Sequence, residues 1–293
     1  KSFQGRAFGS TSDVAVVTFQ PTVSYAFNDK VSVGFGPTIN RISGKLESDL
    51  ALVPGTPEAH VKIKGDDTAL GWNAGVLVQA TDTTRVGLTY HSKVTYKLKG
   101  HTEIGAGAGT PPQLLQSNRY DASLSIDTPE SWDLSVTQDL SDAWKVYAGS
   151  TWTRWSRLKD ITVQNDVPAP LAGSAFQTIT EEQNWHDTWA HAIGAAYQLN
   201  AKWVLRTGLS VDQSPTNNVD RSPRIPTGDR TIFSMGAGYA VTDDLTIDVA
   251  YSYLKEESVK EEKGRQFNCP HCGAPVTVQL STTKSLTCPS CAS

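Results

Sequence analysis

The chain has 293 residues, a formal net charge of −4 and a mean hydropathy of −0.33. This length fits one large domain or two smaller ones, and the balanced charge without a basic stripe argues against nucleic acid as a partner. No segment offers the run of about 18 apolar residues that a membrane-spanning helix needs, which excludes a helical membrane protein. A transmembrane β-barrel remains compatible with this hydropathy, because its strands need apolar residues only at alternate positions.

Five short polar turns divide most of the chain, and each contains an Asx residue, whose side chain caps a turn by bonding to the nearby backbone. They are Asn28–Lys30, Asp82–Arg85, Asp142–Ala143, Asn200–Lys202 and Asp243–Asp244. Each interval between turns is too long for one strand and fits two strands joined by a longer loop. The predicted long loops are residues 43–60, 101–116, 165–180 and 214–228.

Short turns that alternate with long loops are typical of bacterial outer-membrane barrels, whereas soluble sandwiches more often have turns of similar length. Period-2 alternation favours the same fold. It predicts that Trp144, Val146, Trp203, Leu205, Ile247 and Val249 face lipid, while Lys145, Arg206 and Asp248 face the lumen. The predicted fold is all-β: an antiparallel up-and-down transmembrane barrel of about ten strands, covering residues 1–263, in the bacterial outer membrane.

Three groups of motifs between about residues 13 and 260 resemble the FadL/TodX family of outer-membrane transporters. They are Gly71-Trp72-Asn73-Ala74-Gly75, Thr128-Pro129-Glu130-Ser131-Trp132, and the set Arg206-Thr207-Gly208, Asp212, Ser214-Pro215, Arg221 and Asp229-Arg230. The resemblance implies passive transport of long-chain fatty acids or other hydrophobic small molecules, without enzymatic activity. Its implied partners are the hydrophobic ligand, outer-membrane lipid and lipopolysaccharide.

The chain also departs from the family's pattern. Family members have an N-terminal hatch with an Asn-Pro-Ala motif, and their first strands include a kinked strand that opens a lateral exit. They also have a closing strand that ends in an aromatic residue. We expect all of these features to be missing from this chain. About ten strands is an even number, which permits closure. The two terminal strands are nevertheless expected to lack pairing partners, which predicts an incomplete barrel.

Three cations are candidate ligand-binding residues in the lumen, namely Lys145, Arg206 and Lys202. A cation facing the lumen would offer a charge-assisted contact to a fatty-acid carboxylate. The alternative is a structural ladder of ion pairs between these cations and Asp133, Asp212 and Asp248.

All four cysteines lie in the last 25 residues, at Cys269, Cys272, Cys288 and Cys291. Two Cys-x2-Cys pairs at this spacing predict a zinc ribbon, with Val276–Leu280 and Ser285–Thr287 as its hairpin, although two disulfides or a ligand role for His271 are alternatives. The predicted tail domain covers residues 264–293. Zinc thiolates do not suit an oxidising compartment, which favours a fusion or a misassembled reading frame as the origin of this tail.

Two other functions fit parts of the sequence. A general porin would use the same barrel with a wide polar lumen. A zinc-ribbon interaction module would use the tail as the working part and leave the barrel portion without function.

Overall fold

The computed structural model describes residues 9–50, 58–105, 119–168, 172–173, 176–221, 224–259, 265–268 and 275–278. The described part is all-β and antiparallel, with fifteen strands in one sheet and a separate two-stranded hairpin. Among these residues, no helix has the length and apolarity required to cross a membrane.

The first half of the main sheet contains β1 (Thr11–Phe19), β2 (Val23–Ala26), β3 (Val31–Leu50), β4 (Ala59–Gln79), β5 (Thr84–His91), β6 (Val94–Ile104), β7 (Arg119–Thr128) and β8 (Ser131–Asp139). The second half contains β9 (Trp144–Thr153), a 3₁₀ turn at Trp155–Arg157, β10 (Asp160–Asn165), β11 (Thr178–Glu182), β12 (Thr188–Gln198), β13 (Trp203–Asp212), β14 (Arg230–Ala240) and β15 (Thr246–Glu256). The hairpin consists of β16 (Arg265–Asn268) and β17 (Pro275–Val278). The five predicted short turns are confirmed, since they join β2 to β3, β4 to β5, β8 to β9, β12 to β13 and β14 to β15.

The predicted number of about ten strands is too low. Strands β6, β7, β10 and β11 were hidden in or beside predicted loops, and β1 and β2 are two pieces that pair with the same strand, β3. The predicted loop at residues 43–60 is mostly a ladder, because β3 and β4 stay paired from Val31↔Val78 to Leu50↔Ala59. Strands β6 and β7 alternate apolar and polar residues in phase with β5 and β8, so the pattern does not reveal the breaks that separate β5 from β6 and β7 from β8.

Strand β4 is the branch point of the sheet. One of its edges pairs with β3, and the other pairs with β5 near the short turns and with β6 at the long-loop end. The hairpin of β6 and β7 leans over one face of β3 and β4, where Val94, Tyr96 and Leu98 pack with Ile42 and Ala69. This covered face is therefore the inner face of the sheet.

The two faces of the sheet differ in polarity as predicted. Directly paired residues of neighbouring strands share a face, and the register places Trp144, Leu205 and Val249 on one face and Lys145 and Arg206 on the other. The pairing register can be followed from β9 through β8, β5 and β4 to β3. It places the charged residues on the same inner face as Ile42. From the short turns to the middle of the strands the outer face is apolar and open to its surroundings, and Val249 is 67% exposed.

Two bands of aromatic side chains cross the outer face. Near the short turns, Trp144 packs on Tyr197 and Trp203 packs on Tyr239, each with ring centroids 4.6 Å apart. The second band contains Trp72, Tyr90, Trp132, Trp152 and Trp189, which follow one another across β4, β5, β8, β9 and β12. Trp144 and Trp152 are separated by about 26 Å along β9 at the usual strand rise, or about 20 Å along the membrane normal after the usual tilt, close to the apolar height of about 25 Å of an outer-membrane barrel.

The main sheet is open within the described residues. Strands β1 and β2 pair only with β3, and β15 pairs only with β14. In the tail, β16 pairs with β17 from Arg265↔Val278 to Asn268↔Pro275. The predicted strand Val276–Leu280 overlaps β17, whose partner is β16, whereas residues 285–287 lie outside the described residues. The boundary between residues 263 and 264 remains a prediction.

Candidate functional site

Two of the three predicted cations lie together on the inner face, at the short-turn end. A depression of about 550 Å³ there includes both Lys145 and Arg206 in its lining. Lys145 Nζ is 3.1 Å from Asp139 Oδ1 on the directly opposite residue of β8. Arg206 Nη1 donates to Asp248 Oδ1 at 2.6 Å. Each cation therefore already has a carboxylate partner, and the second pair matches the predicted ladder.

The pair of Arg206 and Asp248 spans a whole strand. Arg206 is on β13 and Asp248 is on β15, with β14 between them. A Cβ atom at Gly238 of β14 would lie 2.6 Å from Asp248 Oδ1 and 3.1 Å from Arg206 Nη1. The glycine therefore leaves the space in which the two charges meet.

The other residues predicted for this site lie elsewhere. Lys202 is exposed in the turn between β12 and β13, where its backbone N–H donates to Asn200 Oδ1 at 2.9 Å. Asp133 Oδ2 is 3.2 Å from His91 Nε2 rather than beside a predicted cation. Asp212 lies at the far end of β13, opposite Arg230.

The line of β1 and β2 along β3 is interrupted at residues 20–22. The register is the same on both sides of the gap, with Phe19↔Ile39 before it and Val23↔Phe35 after it. Continuing that register places Pro21 directly opposite Pro37. A proline has no backbone N–H to donate, so neither residue can complete the ladder at this point.

The interrupted segment bends towards the inner face. A Cβ atom at Gly36, an inner-face position of β3, would lie 2.8 Å from Thr22 Oγ1 and 2.9 Å from the carbonyl oxygen of Pro21. Asn73 Nδ2 on the same face donates to Gln20 Oε1 at 2.6 Å and anchors the bend. The sequence predicts a chain without a kinked strand, and the structure corrects this. The missed signal was Pro21 within an otherwise alternating run.

An apolar groove of about 910 Å³ begins beside this break on the outer face. Its first wall is Val23 and Tyr25 of β2, immediately after the gap. The groove continues across β3, β4, β5 and β8 through Val33, Phe35, Trp72, Ala74, Val76, Leu88, Tyr90 and Trp132. The break therefore lies between the polar inner face and an apolar surface large enough for part of an acyl chain.

Glu130 joins several connections at the long-loop end. This buried carboxylate lies between β7 and β8 and accepts hydrogen bonds from Arg157 Nη2 at 2.6 Å, from Arg157 Nε, and from Arg154 Nη1 at 3.2 Å. Hydrogen bonding from Arg157 lowers the pKa of Glu130 to about 2, against the opposing effect of burial. With this low pKa Glu130 stays ionised at neutral pH and is not suited to act as a general acid. Its carboxylate holds Arg154 and Arg157 together, and this arrangement is called the Glu130 clamp below.

The connection between β13 and β14 is ordered by buried polar groups. The Ser214 and Thr216 hydroxyls each donate to the carbonyl oxygen of Thr227 at 2.9 Å, and Arg221 Nη2 donates to Thr216 Oγ1 at 3.0 Å. Ser214 and Arg221 belong to the third group of family-like motifs. They hold the loop that carries Arg224.

Arg224 connects three parts of the long-loop end. Its Nη1 donates to the carbonyl oxygens of Thr11 at 3.3 Å and Glu47 at 3.4 Å, and its Nε lies 3.3 Å from Glu181 Oε2. Thr11 is on β1, Glu47 on β3 and Glu181 on β11. The loop after β13 is therefore tied to strands at the opposite end of the sheet.

The predicted metal ligands Cys269, Cys272, Cys288 and Cys291 lie outside the described residues. Within the part of the chain that the structure describes, no group of three His, Cys, Asp or Glu side chains has a geometry suited to a metal ion.

Comparison with known proteins gives one consistent result. The sequence model of the family described as "Outer membrane protein transport protein (OMPP1/FadL/TodX)" matches residues 1–286. The long-chain fatty acid transport protein of Escherichia coli K12 is 26% identical over 297 residues, covering 90% of this chain and 65% of that protein. Outer membrane protein P1 of Haemophilus influenzae Rd is 25% identical and covers 98% of this chain and 64% of that protein. The chain spans about 63–65% of the length of its curated relatives.

Solved structures agree with this result. The crystal structure of a Pseudomonas aeruginosa FadL homologue superposes with a TM-score of 0.78 at 29% identity, covering 93% of this chain and 66% of that one. The Pseudomonas putida toluene transporter TodX shares the fold, with a TM-score of 0.60 at 20% identity, covering 86% of this chain and 68% of that one. The chain therefore belongs to the outer membrane protein transport family OMPP1/FadL/TodX and is a bacterial outer-membrane protein.

Proposed function

We propose that the chain forms the wall of an outer-membrane barrel that passively transports long-chain fatty acids or other hydrophobic small molecules. The break at residues 20–22 is the observation that carries this proposal. A ligand inside the barrel would leave sideways through the break and enter the membrane directly, without crossing the aqueous periplasmic end.

The physical chemistry of the two faces supports this route. Gln20 and Asn73 line the inner side of the break with polar groups, whereas Val23 and Tyr25 begin the apolar groove outside. Each methylene that leaves water for an apolar surface gains about 0.8 kcal/mol. Movement from the lumen to the groove is therefore downhill for an acyl chain and requires no energy source.

The ion pairs at the short-turn end would orient an anionic ligand. Lys145 and Arg206 can share their donors between the present aspartates and a fatty-acid carboxylate, because both side chains remain partly exposed. We propose Lys145 and Arg206 as secondary contacts for such a headgroup. Lys202, which lies outside the depression, would act only by raising the local positive potential.

Restoring the missing backbone donors tests the route. The double variant Pro21→Val/Pro37→Thr gives both strands an N–H at the break, so the ladder of β1–β2 with β3 can continue. Two new hydrogen bonds would stabilise the complete ladder by about 1–3 kcal/mol. The fraction of molecules in which the break is open would then fall about tenfold. We expect a similar fall in the initial rate of radiolabelled oleate uptake by cells that lack their own transporter.

Two controls make this test decisive. Pro168→Val changes a proline in the connection after β10, away from the break, and should leave uptake unchanged at equal surface abundance. Hydrogen exchange of the double variant should show protected amides at positions 21 and 37. Full uptake in a variant with both amides protected would rule out the lateral route.

We also propose that Cys269, Cys272, Cys288 and Cys291 hold one zinc ion through four thiolates. Their spacing supports this, with strands β16 and β17 on either side of the first pair. Metal analysis of the purified chain should give one zinc per molecule, and Cys288→Ser should abolish it while the strands before Glu257 keep their circular dichroism signal. Two disulfides and no metal would contradict the proposal.

A further inference from the structure

Three lysines form a cluster on the outer face at the long-loop end, here called the lysine cluster: Lys45, Lys62 and Lys64. Lys45 of β3 is directly opposite Lys64 of β4. Lys62 lies two residues from Lys64 along β4 and therefore on the same face. Like charges in directly opposed positions destabilise a β-sheet. A bound anion would reduce this repulsion.

The protein itself supplies only part of the compensating charge. Lys45 Nζ is 2.8 Å from Glu47 Oε1, and Lys62 Nζ is 3.4 Å from Glu103 Oε2. Lys64, between them, forms no ion pair with any of the acidic side chains that the structure describes. The centre of the cluster therefore retains positive charge that can attract an external anion.

The lysine cluster borders a polar depression of about 360 Å³. Lys45 and Lys64 line it together with His101, which lies directly opposite Lys64 on β6. Arg41 and Asp66 form an ion pair of 3.1 Å at its edge. The space equals that of about twelve water molecules, which is more than a bare phosphate needs. The lysine cations and the carboxylate of Asp66 together suit a phosphorylated sugar, whose hydroxyl groups need acceptors as well as donors.

The height of the lysine cluster indicates where such a sugar would come from. Lys45 and Lys64 lie on the same face as Phe35 and Trp72, the face that carries the aromatic bands. Lys64 is eight residues beyond Trp72, or about 26 Å along the strand and about 20 Å along the membrane normal after the usual tilt. Aromatic bands mark the membrane interface, so the lysine cluster lies above it among the headgroup sugars.

We infer that the lysine cluster and its depression bind a phosphorylated core sugar of lipopolysaccharide in the outer leaflet. The inference rests on the outer-membrane location and on the long-loop end facing outward, and it is independent of transport. Binding would neutralise the repulsion between Lys45 and Lys64. Lipopolysaccharide would therefore stabilise the extended part of β3 and β4.

Binding of defined glycolipids to the purified chain in detergent tests this inference. The variant Lys45→Gln/Lys64→Gln should bind lipopolysaccharide with a phosphorylated core about tenfold more weakly, as expected for the loss of two charge-assisted contacts. Lys255→Gln is the matched control, because Lys255 is an exposed lysine on the outer face of β15. It should change the affinity less than about twofold.

Two further arms distinguish the sources of phosphate. The same glycolipid with its core phosphates removed should bind the unaltered chain and the double variant equally, and inorganic phosphate alone should compete only at millimolar concentration. Without glycolipid, the double variant should be at least as heat-stable as the unaltered chain, since it lacks the repulsion. Equal affinity of both for the phosphorylated core, or tight binding of inorganic phosphate alone, would overturn the assignment. A failure of the oleate uptake test would contradict the proposed transport but would not affect the assignment of the lysine cluster.

Discussion

The wall formed by β12 to β15 and the wall formed by β1 to β4 face the same membrane in different ways. In the first wall the ladder is continuous, with uninterrupted pairing from Ala190↔Asp212 to Gln198↔Val204 between β12 and β13. In the second wall the ladder is interrupted where Pro21 faces Pro37 and resumes at Val23↔Phe35. Both walls keep apolar residues outside, so hydrophobicity does not distinguish them. The difference is the number of backbone donors, because two prolines interrupt the ladder of the second wall although no strand is missing there.

The two walls also differ above the membrane. Strands β12 to β15 have 10 or 11 residues each and end close to the upper aromatic band. Strands β3 and β4 have 20 and 21 residues and continue beyond that band with alternating charges. We therefore expect the first wall to contact lipid alone and the second to offer a surface to the proposed sugars as well.

A charge at the centre of the continuous wall should give the largest effect. Ile193 is 63% exposed on the outer face of β12, midway between Trp189 and Tyr197 of the two aromatic bands. Ile193→Lys should destabilise the folded protein in bilayers by about 2–4 kcal/mol, because the ammonium group would meet hydrocarbon. Urea titration in lipid vesicles measures this.

The neighbouring residue provides the control for this prediction. Ala192→Lys introduces the same charge on the inner face and should cost less than about 1 kcal/mol. Equal costs for the two variants would mean that the outer face of β12 does not contact lipid.

The Glu130 clamp lies between the two walls and should give the next largest effect. The pKa of Glu130 is lowered from 4.5 to about 2 by Arg157, so its stabilising contribution is complete above about pH 4.5 and is lost as the pH falls towards 2. Glu130→Gln should lower the free energy of unfolding at pH 7 by about 2–3 kcal/mol.

The pH dependence makes this prediction specific. The stability difference between Glu130→Gln and the unaltered chain should shrink steadily between pH 4.5 and 2. Asp244→Asn, in an exposed short turn, serves as the control and should show no such convergence. A difference that stays constant over this range would show that the clamp is not electrostatic.

Arg224 ties the loop of the continuous wall to the interrupted wall and to β11. Arg224→Ala removes its contacts with Thr11, Glu47 and Glu181, and should cost about 1–2 kcal/mol. Hydrogen exchange should accelerate in residues 213–221 and at the start of β1, while the short-turn end stays protected. Arg224→Lys should keep part of the protection through the remaining charge. Acceleration spread evenly over the sheet would mean that Arg224 stabilises the fold as a whole.

The sequence predicts the membrane part of this fold better than the parts around it. The five short turns and the two faces were predictable because Asx residues and apolar alternation act locally. Strand β6 escaped prediction because its apolar alternation continues that of β5, so the break between the two strands leaves no mark in the pattern. Strand β10 has only six residues and lies beside a predicted loop. The break required knowing that Pro21 faces Pro37, which depends on strand pairing. The sequence placed Asp248 among three candidate carboxylate partners without assigning it to Arg206, and the pairing of Lys145 with Asp139 depended on the register of β8 and β9.

The smallest effect is expected at the two ion pairs of the short-turn end, and it separates ligand binding from structure. Lys145→Ala and Arg206→Ala each remove one cation that already has a carboxylate partner, so a fatty acid loses only a shared contact. We expect each variant to lower the affinity for a fatty acid about threefold, which corresponds to about 0.6 kcal/mol. The affinity for a neutral alcohol of equal chain length should fall less. Fluorescence displacement of a bound fatty-acid analogue gives both affinities. Asp248→Asn should instead strengthen carboxylate binding, because Arg206 would lose its present partner. Equal losses for the acid and the alcohol in the cation variants, with no gain from Asp248→Asn, would show that these charges only maintain the wall.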